Sequence, residues 1–131
     1  AAAVAAGALA AGGAAAAGGL RPVESRAEFE ESLAGEAGAV TVAMFSSPVC
    51  GPCRLVEPKI VEMQEEFSSA GVRMLKLNLT PGRNIKALKP LFSELAVRIL
   101  PTFLVYKDGE VQRRVFGAKH EKLREVINGL I

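Results

Sequence analysis

Between residues 39 and 67 the hydrophobic pattern of the chain changes period. Ala39-Val40-Thr41-Val42-Ala43-Met44-Phe45 is a β-rich apolar run, suited to a buried strand over residues 39–46. From Cys53 onward, Val56, Ile60, Met63 and Phe67 recur at three- and four-residue steps, which line one face of a helix. The change falls on Cys50-Gly51-Pro52-Cys53, and these are the only two cysteines of the chain. Both thiols are therefore expected where a strand turns into a helix.

The rest of the chain continues the alternation. Ser25 followed three residues later by Glu28 predicts a capped short helix through Phe29 and Leu33, stopped at Gly35 and Gly38. The helix after Cys50 is expected to run to about Gly71, kinked rather than ended by Pro58. Residues 72–79 read as a strand and Thr80-Pro81-Gly82 as a turn. Ile85, Leu88, Leu91, Phe92 and Leu95 have helical spacing, with Pro90 expected to split this stretch into a turn and a helix. Two strands, residues 102–107 and 110–116, meet at Asp108-Gly109, a type I′ hairpin signal. Gly117 breaks the second strand, and residues 119–130 close the chain as an amphipathic helix.

Composition narrows the function classes. A chain of 131 residues with 50% apolar and 23% charged residues suits one globular domain. Its 16 basic and 14 acidic residues are scattered, and with no basic stripe interleaved with aromatics there is no nucleic-acid footprint. Two cysteines so close together enclose too short a loop to staple a fold, which leaves redox or metal chemistry. A closed zinc site needs four ligands, and His120 is the only histidine, far along in a polar helix. Metal binding would then need a second chain to complete the ligand set.

Residues 1–20 contain only Ala, Gly, Val and Leu and do not begin with Met. They read as an Ala/Gly-rich leader, a targeting remnant or linker, or as a weak membrane or complex anchor. Their length matches a bilayer span, but five glycines weaken any helix there.

The element order and several motifs together resemble the thioredoxin family over residues 21–131, as one domain. The resemblance is carried by Cys50-Gly51-Pro52-Cys53 with a basic residue next and by Pro58. It extends to Lys76-Leu77-Asn78, Val97-Arg98-Ile99-Leu100-Pro101-Thr102, the Lys107-Asp108-Gly109-Glu110 hairpin and Gly117. It implies an α/β thioredoxin fold with a central mixed sheet of four to five strands flanked by helices, and a cis Leu100–Pro101 peptide beside the thiols. It further implies a protein-disulfide reductase with Cys50 as nucleophile and Cys53 as resolving thiol. Gly51 and Pro52 shape the motif, Val49, Leu100, Pro101 and Gly117 form the substrate-facing rim, and Lys76 plays a supporting part. No cofactor is implied beyond a redox-active Cys50–Cys53 disulfide. The implied partners are protein disulfides and a thioredoxin reductase-type electron donor.

The chain departs from the family pattern in three ways. Met44 stands where the family carries a buried Asp, so Lys76 is expected to lack its usual neighbour and resolution of a mixed disulfide to be slow. Val49 replaces a Trp before the first Cys, and Ser46 another common aromatic, making the rim smaller and less aromatic. The stretch from Asn78 to Pro101 looks longer than usual, the extra residues falling near residues 80–90, where a loop could serve a partner. These departures keep an alternative open: a non-enzymatic thioredoxin-fold subunit or adaptor of a larger complex, joined through residues 1–20 or the 80–90 loop. The acid-free start and the departures suit a plastid relative, stromal or thylakoid-associated, with the cytoplasm as the alternative.

Overall fold

The computed structural model describes residues 19–35 and 37–131, so most of the leader lies outside the described residues. The elements run β1 (Arg21–Pro22), α1 (Arg26–Leu33), β2 (Val40–Ser46), α2 (Gly51–Glu66), β3 (Arg73–Asn78), α3 (Ile85–Glu94), β4 (Thr102–Lys107), β5 (Glu110–Phe116) and α4 (His120–Leu130). The strands form one sheet in the order β1-β3-β2-β4-β5. β1 and β2 lie parallel to β3, while β2–β4 and β4–β5 are antiparallel. This is the thioredoxin fold that the resemblance implies, and of the four to five strands expected the mixed sheet has five, the two-residue β1 being the one that no periodicity marked.

β2 is central, and every residue of it is buried. Its alternation therefore divides the core in two. Val40, Val42 and Met44 join Cys53, Val56, Ile60 and Met63 of α2 and Leu123, Val126 and Ile127 of α4. Ala43 and Phe45 join Phe29 of α1 and Leu88, Leu91 and Phe92 of α3 on the other face. Each large side chain taken fully out of water contributes about 1.5–3 kcal/mol before chain entropy is charged against it.

Local signals account for most element ends. The Ser25 hydroxyl accepts from the Glu28 amide at 3.2 Å, starting α1, and the Glu28 carboxylate closes back on the Glu24 amide at 2.6 Å, one residue earlier than in a standard capping box. In the hairpin, Asp108 (φ 55°) and Gly109 (φ 80°) both adopt the left-handed backbone that a type I′ turn requires. A register shift follows between Val105 and Tyr106.

Two expectations need correction. Pro90 does not split its segment: α3 is continuous from Ile85 to Glu94. Pro90 lacks the N–H that would bond the Lys86 carbonyl, but both residues are exposed, so water can take the freed acceptor. The second helix also stops earlier than expected, at Glu66, and a 3₁₀ turn over Ser68–Ala70 carries the chain to Gly71 at φ 80°. It does continue through Pro58, as its apolar spacing required.

The expected 80–90 loop ends at Asn84, since Ile85 to Pro90 already belong to α3, and the loop that remains is held internally. Asn84 is buried; its amide nitrogen donates to Glu24 Oε1 at 2.7 Å and to the Asn78 carbonyl at 3.0 Å, while its oxygen accepts from the Thr80 amide at 2.8 Å. Among the described residues no helix is long and apolar enough to cross a membrane.

Candidate active site

Cys50 is the N-cap of α2, with extended backbone at φ −89° and ψ 108°. Three features fix the strand-to-helix turn. The Cys50 amide donates to the Ser47 carbonyl at 3.1 Å, the Arg54 amide donates to the Cys50 carbonyl at 3.2 Å, and Pro52 lies in the first helical turn, where its missing N–H costs nothing. The Cys53 amide points at Cys50 Sγ, 3.2 Å away. Unpaired amides and the positive end of the helix favour a thiolate at this position over a thiol.

The two sulfurs differ in exposure. Cys50 is half-buried, while Cys53 is 1% exposed among the apolar side chains of the α2–α4 face. They are joined as a disulfide with Cα atoms 5.3 Å apart, within the ordinary range for such bonds. One sulfur thus meets solvent and the other stands behind it.

The sheet brings the other residues expected at the rim to the same end. Phe45 near the end of β2 pairs with Thr102, which carries Pro101 toward the strand terminus from which Cys50 departs. The Leu100–Pro101 peptide is cis, as the resemblance implied, and Leu100 packs against both core clusters. The Gly117 amide donates to the Pro101 carbonyl at 2.8 Å, fastening the end of β5 to that segment. Gly117 has φ 86°, a backbone that disfavours any side chain, and a Cβ there would meet nothing within 4 Å. Val49 is 87% exposed just before Cys50. Gly51 and Pro52 are exposed as well.

Lys76 does stand beside Met44, its register partner across β2 and β3, and Met44 is fully buried. Lys76 nevertheless has a charged neighbour: its Nζ lies 2.7 Å from Glu57 Oε1 of α2. Sequence reasoning missed Glu57, although its spacing of four from Cys53 was a visible signal. It also missed three exposed apolar side chains, Leu55 (81% exposed), Ile99 and Phe116. Leu55 breaks the stripe of Cys53, Val56 and Ile60, the pattern expected of an apolar residue left facing water.

Fold and site together define a thioredoxin-fold domain built around a dithiol–disulfide pair. The thioredoxin family model matches residues 22–129, and the chain belongs to the thioredoxin family. It is 30% identical over 112 residues to horse (Equus caballus) thioredoxin, covering 86% of this chain and 99% of the relative. It is also 38% identical over 78 residues to Arabidopsis thaliana thioredoxin F2, chloroplastic, covering 60% of this chain and 38% of that protein. The crystal structure of Chlamydomonas reinhardtii thioredoxin f2 superposes with a TM-score of 0.72 at 31% identity, over 85% of this chain and 95% of that one. Family and cysteine pair are together those of a thiol–disulfide oxidoreductase in general terms.

Proposed function

We propose that the chain reduces protein disulfides through a mixed-disulfide intermediate. The observation that carries this is the asymmetry of the pair: Cys50 caps the helix within reach of solvent, and Cys53 is buried one turn behind it. The Cys50 thiolate attacks one sulfur of a substrate disulfide, expelling the other as a thiolate and forming a Cys50–substrate bond. Cys53, once deprotonated, attacks Cys50 Sγ. The Cys50–Cys53 bond forms, the substrate bond breaks, and two electrons have passed from the dithiol to the substrate.

Val49, Leu100, Pro101 and Gly117 form the rim that meets the substrate chain, with Leu55, Ile99 and Phe116 extending its apolar area. No cofactor is required beyond the cysteine pair, and a reductase of thioredoxin-reductase type restores the dithiol. We infer a plastid location, with the cytoplasm as the alternative; likeness to the Arabidopsis thaliana protein named chloroplastic supports it.

Reduction of insulin disulfides by dithiothreitol tests the reading. The protein should accelerate the reaction, and Cys50→Ser should return it to the uncatalysed rate. A folded wild-type protein that gives only that background rate would point instead to an adaptor. Cys53→Ser should stall the mixed disulfide and retain the substrate covalently.

A further inference from the structure

Resolution requires a thiolate on the sulfur least suited to form one. Cys53 is 1% exposed, and burial in apolar surroundings resists ionisation of a thiol. The cluster that holds Cys53 is apolar on every element facing it: Met44 on β2, Met74 on β3, Phe103 on β4 and Leu123 on α4. Charge reaches this neighbourhood from two elements. β3 brings Lys76, in register with Met44, and α2 itself brings Glu57 one turn after Cys53, besides Cys50 and the outward Arg54 bound to the Pro48 carbonyl.

Helical side chains as a rule lean toward the N-terminus and cover the turn before their own Cα, a direction that from Glu57 leads toward Cys53. Residues four apart on a helix have Cβ atoms about 5–6 Å from each other, close enough for a carboxylate to reach a sulfur through one water. The Lys76 ammonium, 2.7 Å from Glu57 Oε1, holds the carboxylate against the sheet beside Met44. The two side chains are 24% and 30% exposed, so the pair is largely shielded yet still reached by solvent.

Resting on the oxidoreductase reading above, we propose that Glu57, positioned by Lys76, is the proton acceptor that ionises Cys53 for resolution of the mixed disulfide. The Cys53 proton passes through a water to the Glu57 carboxylate, and the Cys53 thiolate attacks Cys50 Sγ. The substrate thiolate leaves, and the proton on Glu57 returns to solvent or to that thiolate.

The test mixes the reduced full chain with an aromatic disulfide reagent whose thiolate product is coloured, in a stopped-flow instrument. A first release of colour reports attack by Cys50, and a second reports resolution by Cys53. Glu57→Gln should slow the second release by at least about tenfold at neutral pH, short of the ~10²–10⁴ of a base in direct contact, and leave the first unchanged. The deficit should close as pH rises and hydroxide ionises Cys53, and Glu57→Asp should recover most of the rate. Lys76→Gln, which keeps the carboxylate but frees it, should slow the second release less.

Equal second releases in wild type and Glu57→Gln would overturn the proposal, as would a deficit that persists at all pH or slows both phases. A wild type with no second release would overturn the oxidoreductase reading itself, which separates the two failures.

Discussion

Met44 and Phe45 are adjacent in β2 and equally buried, yet they face opposite halves of the molecule. Phe45 enters an aromatic cluster. Its ring lies 6.2 Å from Phe29 and 5.0 Å from Phe92, and Phe29 lies 5.8 Å from Tyr106, all edge to face. Such pairs add about 0.5–1.5 kcal/mol each beyond buried area and have directional preferences. Met44 enters a face richer in aliphatic and sulfur-bearing side chains, with Met63, Met74 and Cys53 beside Phe67 and Phe103, where the methionine contacts are polarisable and undemanding in direction. The α1–α3 cluster holds no cysteine, and the α2–α4 cluster holds the pair.

The difference can be tested from both sides. Phe45→Ala should have the largest effect on stability, a loss of about 3–5 kcal/mol, because it leaves a cavity and removes two ring contacts. Urea titration reads the loss, and disulfide exchange by the remaining folded protein should be unchanged. A comparable fall in the exchange rate of folded protein would erase the division between faces. Met44→Leu conserves volume and should cost less than about 1.5 kcal/mol in the same titration, again with normal exchange, since Met44 offers Cys53 no proton acceptor. A larger loss would mean that the thiol-bearing face is as exacting as the aromatic one.

The smallest effect is expected at Tyr106, whose hydroxyl is buried with no hydrogen-bond partner among the described residues. Burial pushes its pKa up from 10.0 to about 12, and Arg114 opposes part of the rise. The unfolded chain therefore gives up this proton first. Stability should be unaffected below about pH 10 and should fall between about pH 10 and 12 as the unfolded state ionises. Tyr106→Phe should flatten that alkaline limb in thermal melts, and at neutral pH it should raise stability by less than about 1 kcal/mol. An unchanged alkaline limb would show that the hydroxyl is not held neutral on the aromatic face.

Exposure separates the ion pairs in the same way. Arg26–Glu94 and Arg83–Glu24 join exposed or half-exposed side chains, where such pairs contribute about 0–1 kcal/mol. Lys76–Glu57 is the less exposed pair, and its carboxylate belongs to the helical turn after Cys53.

Much of this was already local in the chain. The period change at Cys50, the capping residues Ser25 and Glu28, the Asp108-Gly109 turn and the apolar stripe through Ile60 act over a few residues, so spacing alone specified them. Pro90 was misread because its tolerance depends on whether the freed carbonyl reaches water, which is a property of the folded surface. Glu57 was missed for a related reason: a carboxylate on a helix becomes a partner of Lys76 only when β3 is laid beside β2 and α2 is packed across both.

The sequence by itself therefore determined the order of elements from α1 onward and the strand-to-helix seat of the two thiols, because each is written in neighbouring residues, while the two-residue strand β1 carried no such signal. The tertiary structure decided which sulfur faces water, which strand end meets Pro101 and which charge stands near Cys53. Those depend on contacts between segments tens of residues apart, which only sheet register and helix packing bring together.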